Sequence, residues 1–481
     1  MKNVLFLIFI ITILPVLSSC NNRKENKPNV ILIYADDQGW KDAGFMGSKY
    51  YDTPELDKLA ASGMVFTNAY ANAPNCAPSR AALMTGMYAP RTGIYTVGTA
   101  ERGNKLYRKL IPVKNKTVLD TSFITIAEVL KKNGYTTASI GKWHLGEGEH
   151  TGPTGQGFDL NVAGWHLGHP KSYFSPYHNP YLSDGPKGEY LTDRLTTEAL
   201  TFIEKNKDKP FFLYFPHYAV HTPLQAKKDL RKRFKDKKPD GGQDNPVYAA
   251  MVKSLDESVG QIMDKLRKLG LEKNTIVIFT SDNGGYGPAT SMAPLRGSKG
   301  MLYEGGIREP FIVSWKGKIK EGTSSDYPVI GTDLYPTIAS ITGSELPSGV
   351  TLDGTDLKEL FLENKEPGKR PLFWFFPAYL GGYRGMDRIW RTTPAAAVRY
   401  GKWKLIRFFE DNREELYDLE NDISESKDLS GIHVKEKNEL SHILDEWIKS
   451  TNAPVPHEPN PSFDEKEYQK KLEKIRQSSK D

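Results

Sequence analysis

Residues 29–37 read NVILIYADD, and this stretch sets the fold expected for the whole chain. A short apolar run without polar alternation is typical of a parallel strand that is buried on both faces. Residues 275–283, TIVIFTSDN, repeat the pattern of an apolar run that ends in acidic and amide side chains. We expect both runs to be buried strands of one sheet.

Helix and strand patterns alternate around these two strands. Apolar residues at helical spacing predict helices, whereas short apolar runs predict strands. The predicted helices are residues 124–133, 195–205 and 248–269, and the other predicted strands are residues 136–140, 210–215 and 310–315. This alternation predicts an α/β fold with a large, mostly parallel sheet flanked by helices on both faces.

The pattern changes after about residue 365. Short strands are predicted at residues 370–376, 395–399, 403–408 and 415–419, followed by a helix at residues 434–450. We therefore expect a main domain at residues 29–365 and a smaller antiparallel α+β subdomain at residues 366–451. Residues 452–481 are rich in proline and then in charge, so we expect a surface tail that lies over the protein or frays.

The composition is that of a soluble globular protein. Of 481 residues, 38% are hydrophobic and 26% are charged, and the mean hydropathy is −0.52, so the chain can bury a large core. The formal net charge of +6 is small for this length. It suits an anionic partner, and we expect no nucleic acid. Two cysteines cannot build a disulfide scaffold.

The N-terminus has the pattern of an export signal. Lys2 precedes a nearly wholly apolar stretch at residues 4–17, which is too short to span a membrane. Residues 17–20, LSSC, resemble a bacterial lipobox, in which the cysteine is lipidated. We expect a signal peptide at residues 1–19, lipidation of Cys20 and a polar tether at residues 20–28. The protein would then be exported and lipid-anchored, in the periplasm or at the outer membrane and cell surface. The alternative is an ordinary signal peptide with an incidental cysteine.

Acidic and amide side chains follow both buried strands. Asp36 and Asp37 come after the first, and Asp282 and Asn283 come after the second. Ligands of open α/β sheets bind outside the carboxyl ends of the strands, so the two clusters could converge there. Carboxylate and amide oxygens suit Ca²⁺ or Mg²⁺ better than zinc or copper. The alternative is that they are helix caps and turn formers.

Residues 75–80, NCAPSR, precede a helix-like stretch. Pro78 suits a first helical turn, which places Cys76 at a helix N-terminus, where backbone N–H groups favour anions. A lone cysteine is more often a buried small hydrophobic residue than a nucleophile.

Basic groups recur in loops, several of them bounded by glycine. Lys142 and His144 lie in GKWH, His221 lies in HTP, and Lys299 lies in GSKG. Singly, each is an ordinary surface lysine or hydrogen-bonded histidine. Together they could supply cations for an anionic ester and two proton-transfer groups.

These motifs together resemble a type I sulfatase of the alkaline-phosphatase superfamily, over residues 29 to 429. The resemblance rests on five motifs in family order: CAPSR at 76–80, GKWHLG at 141–146, SDNG at 281–284, KGMLYEGG at 299–306, and the closing stretch from GKWKL at 401–405 to ELYDL at 415–419. It implies an alkaline-phosphatase-like fold and places the catalytic domain at residues 29–365.

The resemblance also implies two cofactors. In the family the motif cysteine, here Cys76, is oxidised to Cα-formylglycine (3-oxoalanine) by a formylglycine-generating or equivalent maturation enzyme. One hydroxyl of the hydrated aldehyde attacks sulfur, and the other then drives release of sulfate. Asp36, Asp37, Asp282 and Asn283 match the metal ligands, together with the residue derived from Cys76. The implied ion is Ca²⁺ rather than Mg²⁺.

The remaining roles carry over position by position. Arg80 matches the residue that holds the hydrated aldehyde near the metal. Lys142 and Lys299 match the residues that bind sulfate oxygens. His144 matches the base that deprotonates the diol, and His221 matches the group that protonates the leaving alcohol.

The substrate is expected to be a sulfated polysaccharide or oligosaccharide. Two loops, residues 158–190 and 377–394, carry side chains that could stack on sugars or meet hydroxyls and sulfates: Trp165, His166, His169, Tyr173, Phe174, Tyr177, His178, Tyr379, Tyr383, Arg384, Arg388, Trp390 and Arg391. About half should not touch substrate. Two other functions stay open: a phosphodiesterase or phosphonate monoester hydrolase of the same superfamily, and a non-catalytic glycan-binding surface lipoprotein.

Overall fold

A computed structural model describes residues 27–383, 386 and 388–478 of the chain. The signal peptide at residues 1–19, Cys20, most of the tether and Arg384 lie outside the described residues. No helix within the described ranges is long and apolar enough to cross a bilayer.

Within the described residues, the strands form one large sheet and three smaller ones. In chain order they are β1 (Asn29–Ala35), β2 (Met64–Phe66), β3 (Ala69–Tyr70), β4 (Thr136–Ile140), β5 (Leu160–Val162), β6 (Phe211–Pro216), β7 (Thr275–Ser281), β8 (Phe311–Ser314), β9 (Thr323–Ser325), β10 (Val329–Ile330), β11 (Leu372–Phe376), β12 (Leu380–Gly381), β13 (Trp390–Thr392), β14 (Ala395–Tyr400), β15 (Trp403–Phe408) and β16 (Arg413–Asp418).

The helices are α1 (Pro54–Ala61), α2 (Cys76–Thr85), α3 (Ala89–Thr92), α4 (Ile126–Lys132), α5 (Gly148–Thr151), α6 (Leu191–Lys205), α7 (Lys228–Lys235), α8 (Pro246–Lys268), α9 (Glu304–Ile307), α10 (Leu334–Thr342), α11 (Lys358–Glu363), α12 (Val434–Ser450) and α13 (Glu465–Ser478).

The large sheet has the strand order β5-β4-β6-β1-β7-β8-β2-β9. The five strands from β5 to β7 are mutually parallel, whereas β8 runs antiparallel to both β7 and β2. The predicted mostly parallel α/β sheet is therefore confirmed, with one reversed strand.

The position of β1 explains its sequence. Ile31 and Ile33 pack into a core with α1, α6 and α8, whereas Val30 and Leu32 pack into a second core with α2, α4 and α10. Because both faces are covered by helices, neither tolerates polar side chains, and the run reads as continuously apolar.

The C-terminal part forms the predicted antiparallel layer. Strands β11, β14, β15 and β16 make a four-stranded sheet, and α12 packs on it through Leu440, Leu444 and Trp447. The predicted strand 403–408 and helix 434–450 have the predicted bounds.

The tail is more ordered than its composition indicates. It forms the helix α13, and Tyr468 and Leu472 pack against Tyr379 and Trp390. These residues agree with the expectation of a tail that lies over the protein, since an apolar stripe at helical spacing gives the segment a face to bury.

A buried ion cluster joins the two parts of the chain. Lys404 Nζ lies 2.9 Å from Glu304 Oε1 and 2.9 Å from Glu425 Oε1, and all three side chains are fully buried. Burial raises the pKa of Glu425 to about 7 although Lys404 opposes the shift. The part of the chain that holds the large sheet and the C-terminal part thus share a charged core.

We expect Lys404→Met to destabilise the protein by about 3–5 kcal/mol, because it leaves Glu425 buried without its cation, whereas Glu304 keeps Arg308. Chemical denaturation followed by circular dichroism measures the loss. Lys402→Met is the matched control, because Lys402 pairs with Asp418 at the surface, and its unfolding midpoint should not move measurably. Equal effects of the two substitutions would contradict the expectation.

Candidate active site

The acidic pairs meet at the carboxyl edge of the large sheet. Strands β1 and β7 are neighbours in register, so that Ala35 pairs with Ser281, and the residues that follow emerge side by side. The Asp37 backbone N–H donates to Asp282 Oδ1 at 3.2 Å, and Asn283 Nδ2 donates to Asp37 Oδ1 at 2.8 Å. Parallel pairing therefore brings together groups that are far apart in sequence.

Cys76 is the first residue of α2 and points into this cluster. Its side chain is 1% exposed, and its Sγ lies 3.4 Å from Lys299 Nζ. Ligand atoms of Asp36, Asp37, Cys76 and His221 all lie within 4.8 Å of one another. The helix thus delivers the cysteine to the acidic edge of the sheet.

Three cations neutralise the three carboxylates. Lys142 Nζ lies 2.7 Å from Asp36 Oδ2, and Lys299 Nζ lies 2.5 Å from Asp37 Oδ1. Arg80, one turn into α2, contacts Asp282 Oδ2 at 2.7 Å through Nη2 and at 3.0 Å through Nε. Each carboxylate of the acidic edge therefore has a cationic partner.

These cations also act on Cys76. Burial by itself raises the pKa of the Cys76 thiol, but Lys142 and Lys299 lower the pKa to about 6. The environment of position 76 therefore stabilises negative charge there.

The surroundings of the two histidines shift their pKa values in opposite directions. Burial lowers the pKa of His144 well below its usual value, and the charges of Lys142 and Arg80 act in the same direction. Burial and Lys299 also lower the pKa of His221, but Asp37 and Asp36 outweigh them, so the pKa lies above its usual value. The geometry agrees, since His221 Nε2 is 3.6 Å from Asp37 Oδ2.

His144 is held by the backbone around it. It adopts a left-handed conformation with φ of +66°, and its N–H donates to the Trp165 carbonyl at 2.9 Å. A Cβ added at Gly168 would lie 2.3 Å from His144 Cε1. Glycine at 168 is thus required to make room for the imidazole.

A cavity of about 680 Å³ opens above Cys76. It contains Cys76, His144, His221 and Lys299 in its lining. Lys142 and Arg80 are fully buried beneath these residues. The structure therefore places the residues that the sequence proposed for catalysis or metal binding either in the lining of this cavity or in the buried network of contacts joined to it.

The sulfatase family model matches residues 28–344. The chain belongs to the sulfatase family. A second model, described as N-sulphoglucosamine sulphohydrolase, C-terminal, matches residues 298–453. The protein is a sulfuric ester hydrolase, as its motifs predicted.

Relatives of this sulfatase span nearly its whole length. A sulfatase of Formosa agariphila is 33% identical over 93% of this chain and 94% of its own. N-acetylgalactosamine-6-sulfatase of Mus musculus is 33% identical over 85% of this chain and 78% of its own. The crystal structure of Ps i-CgsB in complex with k-i-k-neocarrahexaose superposes with a TM-score of 0.75 at 31% identity, covering 94% of this chain and 98% of that one.

The site of this sulfatase has the donors that a hard divalent cation requires. Asp36 Oδ1 and Asn283 Oδ1 are buried, and neither has a hydrogen-bond partner among the described residues. An unpartnered buried oxygen costs free energy unless something binds it. The residues present therefore fit Ca²⁺ or Mg²⁺.

The loop predictions need correction. Of the side chains proposed to meet sugar, His166, His169 and Arg391 line the cavity. Most of the other aromatic ones are core residues instead: Trp165, Tyr173, Tyr177, Tyr379 and Trp390 are buried in hydrophobic clusters, and Phe174 packs against one. His178, Tyr383 and Arg388 line other surface cavities. Large aromatic side chains in long loops were needed to anchor those loops.

Tyr173 illustrates this anchoring. Its hydroxyl donates to the carbonyls of Tyr218 and His221, the latter at 2.9 Å. A residue predicted to stack on sugar instead fixes the backbone that carries His221.

Sequence reasoning missed several residues of the cavity wall. Among them are Asn75, Thr96, Arg102, Glu147 and Leu380. Glu147 follows directly on the GKWHLG motif, and its Oε2 contacts His166 Nδ1 at 2.6 Å, so its neighbourhood in sequence was a usable signal. For Arg102 the sequence offers no comparable pattern.

Proposed function

We propose that this sulfatase hydrolyses a sulfate ester of a sulfated carbohydrate, with a nucleophile derived from Cys76. The observation that carries the proposal is the placement of Cys76 among cations and two histidines, at the base of a cavity large enough for a sugar ring. The names of the relatives favour a carbohydrate, since one acts on N-acetylgalactosamine-6-sulfate by its name and another was solved with a neocarrahexaose.

The roles of the polar residues follow from their positions. Lys142 and Lys299 face the carboxylate edge and are placed to bind the oxygens of a sulfate seated at Cys76. They offset negative charge where it develops during transfer, which is usually the largest electrostatic contribution to catalysis. Arg80 fixes Asp282 and the start of the GKWH loop, because its Nη1 donates to the Lys142 carbonyl at 3.0 Å.

The two histidines divide the proton transfers between them. His221, beside Asp37, holds a proton that it can give to the departing alcohol oxygen. His144, buried among cations, stays neutral and can accept a proton from the hydroxyl at position 76. Paired groups whose surroundings favour opposite protonation states are typical of acid–base catalysis.

The modified side chain proposed at position 76 is Cα-formylglycine, made by a formylglycine-generating or equivalent maturation enzyme. Its hydrate would supply the attacking hydroxyl. Cys76 is 1% exposed within α2. A maturation enzyme therefore has to act before this helix packs.

The proposed metal ion is Ca²⁺, held by Asp36, Asp37, Asp282, Asn283 and the modified residue 76. A bound ion would neutralise carboxylate charge and polarise a sulfate oxygen. Mg²⁺ is the weaker candidate, because it demands a more regular octahedron of ligands.

We expect Ca²⁺ to stabilise chelator-treated protein, by about 2.7 kcal/mol when its concentration is 100 times the Kd, with a smaller effect of Mg²⁺. Thermal unfolding with each ion measures this. Asn283→Ala should diminish the Ca²⁺ effect. Asp42→Asn is the control, because Asp42 is buried close by but is fully engaged with Tyr248, Thr290 and Gln243. A Ca²⁺ effect that survives Asn283→Ala unchanged would count against this ligand set.

We propose that the protein is exported and anchored through a lipid on Cys20. The motif at residues 17–20 supports this. Metabolic labelling with a radioactive fatty acid should mark the wild-type protein and not Cys20→Ala, and the variant should leave the membrane fraction.

A panel of sulfated monosaccharides and oligosaccharides tests the proposed function. We expect release of inorganic sulfate from at least one carbohydrate of the panel. Activity confined to small aryl sulfates would contradict the substrate class. Faster hydrolysis of phosphate or phosphonate esters would favour a phosphoesterase, and binding without release would favour a glycan-binding lipoprotein.

A further inference from the structure

The cavity wall contains two arginines that the sulfatase reaction does not use. Arg102 and Arg391 line the cavity together with Cys76 and Lys299. Arg102 donates through Nη2 to the Val97 carbonyl. Arg391 lies over the ring of Tyr383 at 4.2 Å, and its buried Nε has no hydrogen-bond partner among the described residues.

Arg391 lies beside the sulfate end of the cavity. A Cβ added at Gly300, the residue after Lys299, would lie 2.9 Å from Arg391 Nε. The guanidinium of Arg391 therefore rests against the backbone that carries Lys299, and only the absence of a side chain at 300 permits this approach.

Arg102 and Arg391 together form a positive wall of the cavity. Burial lowers the pKa of Arg102, and the charge of Arg391 lowers it further, which is expected of two like charges close together. Arg108 lies behind Arg102 and donates through Nη1 to the Arg102 carbonyl at 3.3 Å. Within the described part of the chain, none of these three guanidiniums forms an ion pair with a carboxylate.

This lack of pairing sets the wall apart from the rest of the site. Arg80, Lys142 and Lys299 each contact a carboxylate, and Glu147 of the same cavity contacts His166. Half-buried guanidiniums without counter-ions repel each other and favour any anion that can reach both. The sulfate to be cleaved is already assigned to Lys142 and Lys299.

We propose that Arg102 and Arg391 bind a second anionic group of the substrate, so that the enzyme prefers carbohydrates that carry another sulfate or a carboxylate besides the sulfate it removes. This inference rests on the proposed function. A guanidinium pairs with either group through the same planar, bidentate contacts, so the structure defines the charge of the second group and the experiment distinguishes its source.

The test compares kcat/KM for three matched substrates: a sugar with one sulfate, the same sugar with a second sulfate, and a sulfated sugar linked to a uronate. We expect the wild-type enzyme to favour one of the doubly anionic substrates by about 10–100-fold, the range of a charge-assisted hydrogen bond. The substrate that is favoured identifies sulfate or carboxylate as the second group.

Arg102→Gln and Arg391→Gln should each bring the ratio of kcat/KM values for the doubly and singly anionic substrates closer to one. Arg391→Lys should retain part of the preference, because the charge is kept. Arg231→Gln is the matched control for loss of one positive charge, because Arg231 is exposed on α7, away from the cavity. Its preference should equal that of the wild type. If a glutamine variant fails to fold, the wild-type comparison and the lysine variant decide.

Two failures are distinguishable. If no carbohydrate in any arm releases sulfate, the proposed function is wrong. If the wild-type enzyme cleaves singly and doubly anionic substrates equally well, or if the glutamine variants keep the full preference, the second subsite is wrong and the function stands. Retained preference would leave Arg391 with a packing role on Tyr383.

Discussion

We expect Cys76→Ala to lose sulfate-ester hydrolysis by about 10⁴–10⁶-fold, the range observed when a covalent nucleophile is removed. Lys299 and His221 both lie beside this side chain. Without it, Lys142 and Lys299 can still bind the ester, but the attacking group proposed at position 76 is lost. The loss should therefore appear in kcat, with binding of a sulfated ligand retained.

Cys76→Ala should still fold, because alanine is compatible with the first turn of α2 and removes a single buried atom. Circular dichroism and isothermal titration with a sulfated ligand verify this. Cys76→Ser distinguishes the need for a nucleophile from the need for the modified side chain. An unmodified serine has one hydroxyl, so it could release at most one equivalent of alcohol and then stop.

Mass spectrometry of the peptide that contains residue 76 provides the direct control. Active enzyme should show the mass change from CH₂SH to CHO at this position, and inactive enzyme should show the unaltered cysteine. A fully active preparation with an intact Cys76 thiol would overturn the proposed chemistry.

The second large effect is expected at His221, and it should depend on the leaving group. His221→Gln should slow hydrolysis of a sugar sulfate by about 10²–10⁴-fold, because a sugar alkoxide leaves poorly without a proton. The same variant should slow hydrolysis of an activated aryl sulfate by less than about 10-fold, since a phenolate needs no such help.

His144→Gln is the matched comparison in the same cavity. His144 is assigned to the hydroxyl at position 76 and not to the departing oxygen. Its loss should therefore slow both substrates by a similar factor in steady state. Single-turnover and steady-state rates on both esters separate the two histidines, and a leaving-group dependence at His144 in place of His221 would reverse the assignment.

Much of the fold was predictable because its strongest constraint is local. Strand β1 is buried on both faces, so it had to be continuously apolar, and the same argument identifies β7. The reversed direction of β8 could not be predicted, because its apolar run looks the same in either orientation. The helix α13 was missed although Tyr468 and Leu472 are spaced one turn apart, because the charged residues between them dominate the composition.

The site divides in the same way. Asp36 and Asp282 could be placed together, because both follow strands that end at one edge of the sheet. The residues of the cavity wall could not be placed together from the sequence, because their positions depend on the way in which the long loops fold back over that edge. Tyr173 and Arg391 come from similar-looking loops, yet the first is a buried anchor and the second lines the cavity.

The residues around the cavity come from two parts of the chain, and this has an evolutionary consequence. All residues assigned to bond breaking precede residue 300, whereas Arg391 is carried by the β12–β13 hairpin, which α13 holds down from outside. Substitutions in the last part of the gene can thus alter the Arg391 side of the cavity while every residue assigned to bond breaking is inherited unchanged.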